Sequence, residues 1–156
     1  MTLQRPVVAK AEMLIRKPIK EVFAAFVDPA ITTKFWFTKS SGKLEPGKNV
    51  RWDWEMFGVF AQVSVKAIEQ NKRILIEWPT PVEWVFIPKS DNTTFVSIIS
   101  SGFTGDDDQV VSQAIDSMGG FSLLLAGCKA FLEHGIMLNL VADHNPDANT
   151  SHGAAA

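Results

Sequence analysis

DDDQVVSQAIDSMGGFSLLLAGCKAFLEHGIMLNL, residues 106–140, is the stretch whose apolar positions keep a helical period over many turns. Val110, Ala114, Met118, Phe121, Leu125, Cys128 and Leu132 recur at spacings of three or four, which places them on one face of a helix. Asp106, Asp107 and Asp108 follow Gly105, with Gln109 three residues after Asp106. Carboxylates thus stand where unpaired backbone N–H groups and the positive end of the helix dipole favour them. At ~1.5 Å per residue an unbroken helix here is about 50 Å long, enough to cross a small domain. Gly119 and Gly120 each cost about 1 kcal/mol relative to alanine. They predict either a bend or a close approach by another element. A helical face of this length has to be covered, and the rest of the chain supplies the cover.

Nearly everything before residue 106 reads as strand. Val7 to Ile15 alternates, and Val50, Trp52, Trp54 and Met56 share a face opposite Arg51, Asp53 and Glu55. Val59 to Ala67, Ile74 to Trp78, Val82 to Phe86 and Thr94 to Ile98 continue that period of two, each with one wet face. Ser41-Gly42, Glu45-Pro46-Gly47, Phe57-Gly58, Gln70-Asn71 and Ser90-Asp91-Asn92 punctuate them as turns, which predicts an antiparallel meander. Between the first strand and this meander, Pro18 opens a short helix whose apolar face is Ile19, Val22, Phe23 and Phe26. Asp28-Pro29 ends it, and Ala30 to Trp36 reads as a second helical turn. The expected class is α+β: a curved antiparallel sheet wrapped around a long C-terminal helix, with two short helices after the first strand. Residues 1–141 form a single domain in this reading, and residues 142–156 a flexible tail with nothing to bury.

Composition narrows the function. A chain of 156 residues is one domain with a real core, and its net charge of −2 lacks the basic excess that nucleic acid or an anionic membrane surface favours. Cys128 is the only cysteine, so neither a disulfide framework nor a cysteine zinc site is expected, and the expected compartment is the cytoplasm. The most apolar run, Phe121 to Cys128, is short and interrupted by Ser122 and Gly127, so no membrane insertion is expected. Eleven phenylalanines and five tryptophans stand beside no tyrosine, and all five tryptophans precede the long helix. Large rings on a sheet facing a helix fill a core or surround a cavity.

The order of elements resembles the START-like superfamily, also called SRPBCC or Bet v allergen-like, with its helix-grip fold. Lys17-Pro18-Ile19-Lys20-Glu21-Val22-Phe23-Ala24-Ala25-Phe26 is similar to that family's opening after the first strand. Leu44-Glu45-Pro46-Gly47 followed by Val50-Arg51-Trp52 is similar to its second hairpin. Lys129-Ala130-Phe131-Leu132-Glu133-His134-Gly135 resembles the end of the long helix in the branch named for activators of the ninety-kilodalton heat-shock protein's ATPase. That branch often carries Gly-Trp midway along the helix, where this chain has Gly120-Phe121. The superfamily includes lipid and hormone binders, polyketide cyclases, stress proteins and chaperone activators, so the resemblance fixes a fold before it fixes a function.

The chemistry-bearing residues are few. No nucleophile elbow, zinc-protease helix, phosphate loop or dinucleotide fingerprint occurs, so no cofactor is expected. His134, His144 and His152 lack the spacing of a metal face on one helix, and the three consecutive aspartates are explained by the helix start, so no metal is expected either. Cys128 reads as a small buried hydrophobe. Arg51, Asp53 and Glu55 read as a solvated outer row; turned inward, such carboxylates would act as acid or base. Trp36, Trp52, Trp54, Trp78, Trp84, Met118, Phe121 and Leu125 are the expected lining of an apolar cavity between sheet and helix. A solid core of the same side chains is the alternative, and periodicity does not separate the two. The resemblance favours the cavity, and so implies binding of a small hydrophobic or aromatic molecule, lipid-like or polyketide-like. The resemblance adds two others: a partner that stimulates a chaperone ATPase, and a cyclase or dehydratase using Glu83 or Asp53. Ile115 and Leu123 lie off the helical stripe, and a second copy in a homodimer or the short N-terminal helices would cover them.

Overall fold

The computed structural model of the protein describes residues 6–147, so residues 148–156 of the expected tail lie outside the described part. Strand β1 (Ala9–Ile15) is followed by α1 (Ile19–Val27), α2 (Pro29–Thr32) and the short β2 (Lys39–Ser40). Then come β3 (Asn49–Trp54), β4 (Val59–Glu69), β5 (Arg73–Trp78), β6 (Thr80–Ser90) and β7 (Thr93–Ser100), with α3 (Asp107–His134) and α4 (Leu140–His144) closing the chain. The seven strands form one antiparallel sheet in the order β1-β7-β6-β5-β4-β3-β2. The expected helix-grip architecture is the one observed.

The alternation that defined the strands also sets their faces. Val50, Trp52 and Trp54 of β3, Ile74 and Ile76 of β5, and Val82, Trp84 and Phe86 of β6 are buried on the concave face. Arg51 and Asp53 point the other way and pair at 3.0 Å, as the outer-row reading requires. Glu83 also faces outward, where it bonds Arg73. Each CH₂ removed from water on the concave face contributes ~0.8 kcal/mol, so these large side chains dominate stability.

Helix α3 is unbroken through Gly119 and Gly120, and its start is a capping box. Gln109 N–H donates to Asp106 Oδ1 at 2.8 Å, and Asp106 N–H donates to Gln109 Oε1 at 2.9 Å. Only its second half is buried, on a face made by Phe121, Leu124, Leu125 and Cys128. This corrects the expected stripe at Met118, which is 51% exposed because the first half of α3 runs past the cover of the sheet. At 28 residues α3 is long and apolar enough to cross a membrane, and its second half packs its apolar face into the grip of the sheet. Gly127 is a true close approach. A Cβ there would meet Phe35 Cβ and its carbonyl oxygen at 3.3 Å, so a larger side chain would force α3 away from the α2–β2 loop.

The sheet's outer edge is managed by α3. Among the described residues β1 pairs with β7 on one side only, which leaves alternate backbone groups on its other side without a strand partner there. Lys129 Nζ donates to Leu14 O at 2.8 Å, and Arg16 N–H donates to Glu133 Oε2 at 2.8 Å. Lys129 and Glu133 also bond each other at 2.6 Å, so one helical ion pair stands in for the missing strand.

After α3, Gly135 caps the helix in the left-handed region at φ 67°, where glycine pays no Cβ penalty. The chain then turns back, and Val141 of α4 is buried against the core. α4 therefore takes in residues 142–144, which the sequence reading gave to the flexible tail.

Candidate functional site

Trp36, delivered by the loop after α2, is the hub of the interior. Its ring centroid lies 4.9 Å from Trp52, 5.8 Å from Trp54 and Trp78, 6.2 Å from Trp84 and 6.3 Å from Phe121. Trp54 stacks on Trp78 at 5.6 Å, and Phe37 stacks on Trp52 at 4.8 Å. Edge-to-face and stacked rings at these separations fill the centre of the grip. The rings pack closely around Trp36, and beside Trp78 and Phe121 the interior opens toward one end.

That open end holds a cavity of about 580 Å³, within the range of small-molecule sites. Trp78, Pro79 and Thr80 of the β5–β6 turn form one wall, with Val82 and Phe57 beside them. Ser100, Gly102, Phe103 and Thr104 bring in the end of β7 and the loop to α3. Gln113, Asp116, Ser117, Gly120, Phe121 and Leu123 line it from α3, and Val141, His144 and Asn145 from α4. The floor is aromatic and aliphatic; the mouth is polar.

Of the eight expected lining residues, the structure brings Trp78 and Phe121 to this cavity. Trp36 borders a second space of about 90 Å³ under residues 137–142. Trp52, Trp54, Trp84 and Leu125 are buried in the aromatic core and line neither space, while Met118 points to solvent. Leu123, expected on a separate covered side of the helix, stands in the cavity wall instead. Glu83 and Asp53 lie on the outer face, each bonded to an arginine, and reach neither space. Sequence reasoning missed Phe103, Val141, His144 and Asn145. An aromatic residue between Gly102 and Gly105, and an apolar run resuming after Gly135, were the available signals.

Hydrogen bonding around the mouth is partly committed. Ser100 and Ser117 hydroxyls meet at 2.5 Å, tying β7 to α3, and Gln113 Nε2 donates to Thr104 O at 2.7 Å. Deeper in the core, the Nε1–H groups of Trp36, Trp54 and Trp84 have no hydrogen-bond partner among the described residues. An unpaired buried donor costs about 1–3 kcal/mol, so this aromatic core carries polarity that phenylalanines would avoid. Cys128 is fully buried, and desolvation with the nearby Glu133 charge pushes its thiol far up, so it is no nucleophile. Among the described residues no group of His, Cys, Asp and Glu is arranged to hold a metal.

No curated protein matches the chain. Among solved structures, protein SSP2350 from Staphylococcus saprophyticus is 28% identical, with a TM-score of 0.77 over 85% of this chain and 96% of that one. The Aha1 dimer from Colwellia psychrerythraea is 17% identical, with a TM-score of 0.71 over 83% and 98%. DynU16, a protein in the dynemicin biosynthetic locus, is 19% identical, with a TM-score of 0.73 over 83% of this chain and 48% of its own. At 17% and 19% identity those last two likenesses are of fold. The sequence itself matches the model of one family from residue 16 to residue 132, most of its length and all of the grip except the first strand. The chain belongs to the family described as Activator of Hsp90 ATPase homolog 1-like protein.

Proposed function

We propose that the protein binds a small hydrophobic or aromatic molecule in the cavity between the β5–β6 turn, the β7–α3 loop, α3 and α4. One observation carries this: a space of about 580 Å³ with Trp78, Phe121 and Phe103 in its walls and hydroxyls and amides at its mouth. Occurrence of the same fold in a protein of a biosynthetic locus is in keeping with it. Trp78 is the natural reporter, since a guest against its ring alters its emission. Titration of an apolar naphthalene probe should quench tryptophan fluorescence, and Ser117→Phe, which places a ring in the cavity, should weaken binding at least tenfold. Binding indifferent to Ser117→Phe, in a variant that melts cooperatively, would count against the site.

A cyclase or dehydratase reading loses the residues first nominated for it, because Asp53 and Glu83 face away from the cavity. A reading as a partner protein is favoured by a different surface. Val111, Ile115 and Met118 are 39%, 64% and 51% exposed and follow one another at helical spacing along the uncovered half of α3. Either a chaperone or a second copy of the chain would be met there. Ile115→Lys should abolish stimulation of the Hsp90 ATPase or dissociate a dimer in sedimentation. A wild-type chain that is monomeric and leaves the ATPase rate unchanged removes this reading.

A further inference from the structure

We propose that the cavity selects cationic and neutral aromatic molecules over anionic ones, a refinement that rests on the ligand-binding reading above. Among the described residues, no lysine or arginine contributes to the wall. Of the described lining residues, Asp116, exposed at the mouth, is the only carboxylate and His144 the only basic side chain.

An anionic amphiphile needs a countercharge for the head group it takes out of water, and an arginine or lysine usually supplies it. This wall has none. A protonated amine meets the opposite situation. The Asp116 carboxylate is at the rim, and the aromatic side chains of Trp78, Phe103 and Phe121 stand in the wall beside it, where an aromatic ring attached to that amine can pack. A neutral aromatic alcohol finds the Ser100–Ser117 hydroxyl pair and Thr80 without having to shed a full charge. Opposite charges in a half-dry site attract several times more strongly than in bulk water, and salt weakens the exposed part of that attraction.

The test uses three probes on one ring system, titrated into the full chain at low salt and neutral pH by calorimetry. They are naphthalene-1-methanol, 1-naphthylmethylamine and 1-naphthoate. The amine should bind about threefold to tenfold tighter than the alcohol, and the carboxylate at least tenfold weaker. Asp116→Asn should reduce the amine's advantage to less than about twofold, and Asp116→Lys should invert the order of amine and carboxylate. His144→Gln should leave the carboxylate the weakest of the three. A carboxylate that binds as tightly as the alcohol overturns the inference, as does an order that survives Asp116→Lys, while the cavity reading stands in either case. Failure of all three probes to bind overturns both.

Discussion

Replacing Glu133 tests the account of how α3 closes the open edge of the sheet. The side chain is only 10% exposed and accepts from Arg16 N–H at 2.8 Å and Lys129 Nζ at 2.6 Å. Burial pushes its carboxyl up, but these two bonds and the charges of Lys129 and His134 outweigh burial and hold it below the ordinary value of 4.5. Two charge-assisted bonds are worth ~1.5–3 kcal/mol each before solvent competes. The Lys129 side chain is 33% exposed, so water recovers part of that energy. Glu133→Ala should therefore cost about 2 kcal/mol, or a fall in Tm of roughly 6 °C. Glu133→Gln keeps an acceptor for Arg16 and loses the charge, which should cost about half as much. The pH dependence has a definite sign. As pH falls the unfolded chain takes up the proton first, so this stabilisation is present above about pH 4.5 and lost as pH drops through the lower folded-state value. Urea melts of wild type and Glu133→Gln should differ at pH 7 and converge toward pH 3. A gap independent of pH, or no gap at neutral pH, would refute the argument.

Four further outcomes follow from the packing. Gly127→Val should destabilise by about 1–3 kcal/mol in urea melts, because the 3.3 Å approach of Phe35 leaves no room for the new side chain. Trp36→Ala should cost about 3–5 kcal/mol, since five of the surrounding rings lose a common neighbour. Cys128 should resist iodoacetamide in the native state and react promptly in denaturant; rapid native labelling would show the helix opening locally. Trp78→Phe should remove most of the quenching caused by an apolar probe while calorimetry still detects its binding; quenching that persists would place the probe elsewhere.

Much of this fold was legible because its elements have clean periods. Val50, Trp52 and Trp54 against Arg51 and Asp53 could be assigned to opposite faces by parity alone, and Asp106 with Gln109 announced the start of α3. Period gives direction and says nothing of depth. The tryptophans of β3 and β6 do face inward, but Trp36, expected beside them in the lining and at the end of a second helical turn, comes from the loop after α2 and fills the space between them. Met118 fits the helical period and still meets solvent, because the sheet ends before the helix does. The mouth of the cavity is built by loops and by α4, whose return depends on the left-handed turn at Gly135 and on the burial of Val141. Neither follows from the polar look of Ala142 to Asp147.

The placement of Trp36 divides the interior into two compartments with separate duties. Around its ring, interlocked indoles and phenyls bear the cost of keeping the chain folded. Beyond it, the mouth is furnished by short loops and by side chains that contribute little to that task. Such a partition lets substitutions remodel the entrance while the keystone behind it stays in place, so on the proposed binding reading a different guest would need new furnishings at the door and no new way to fold.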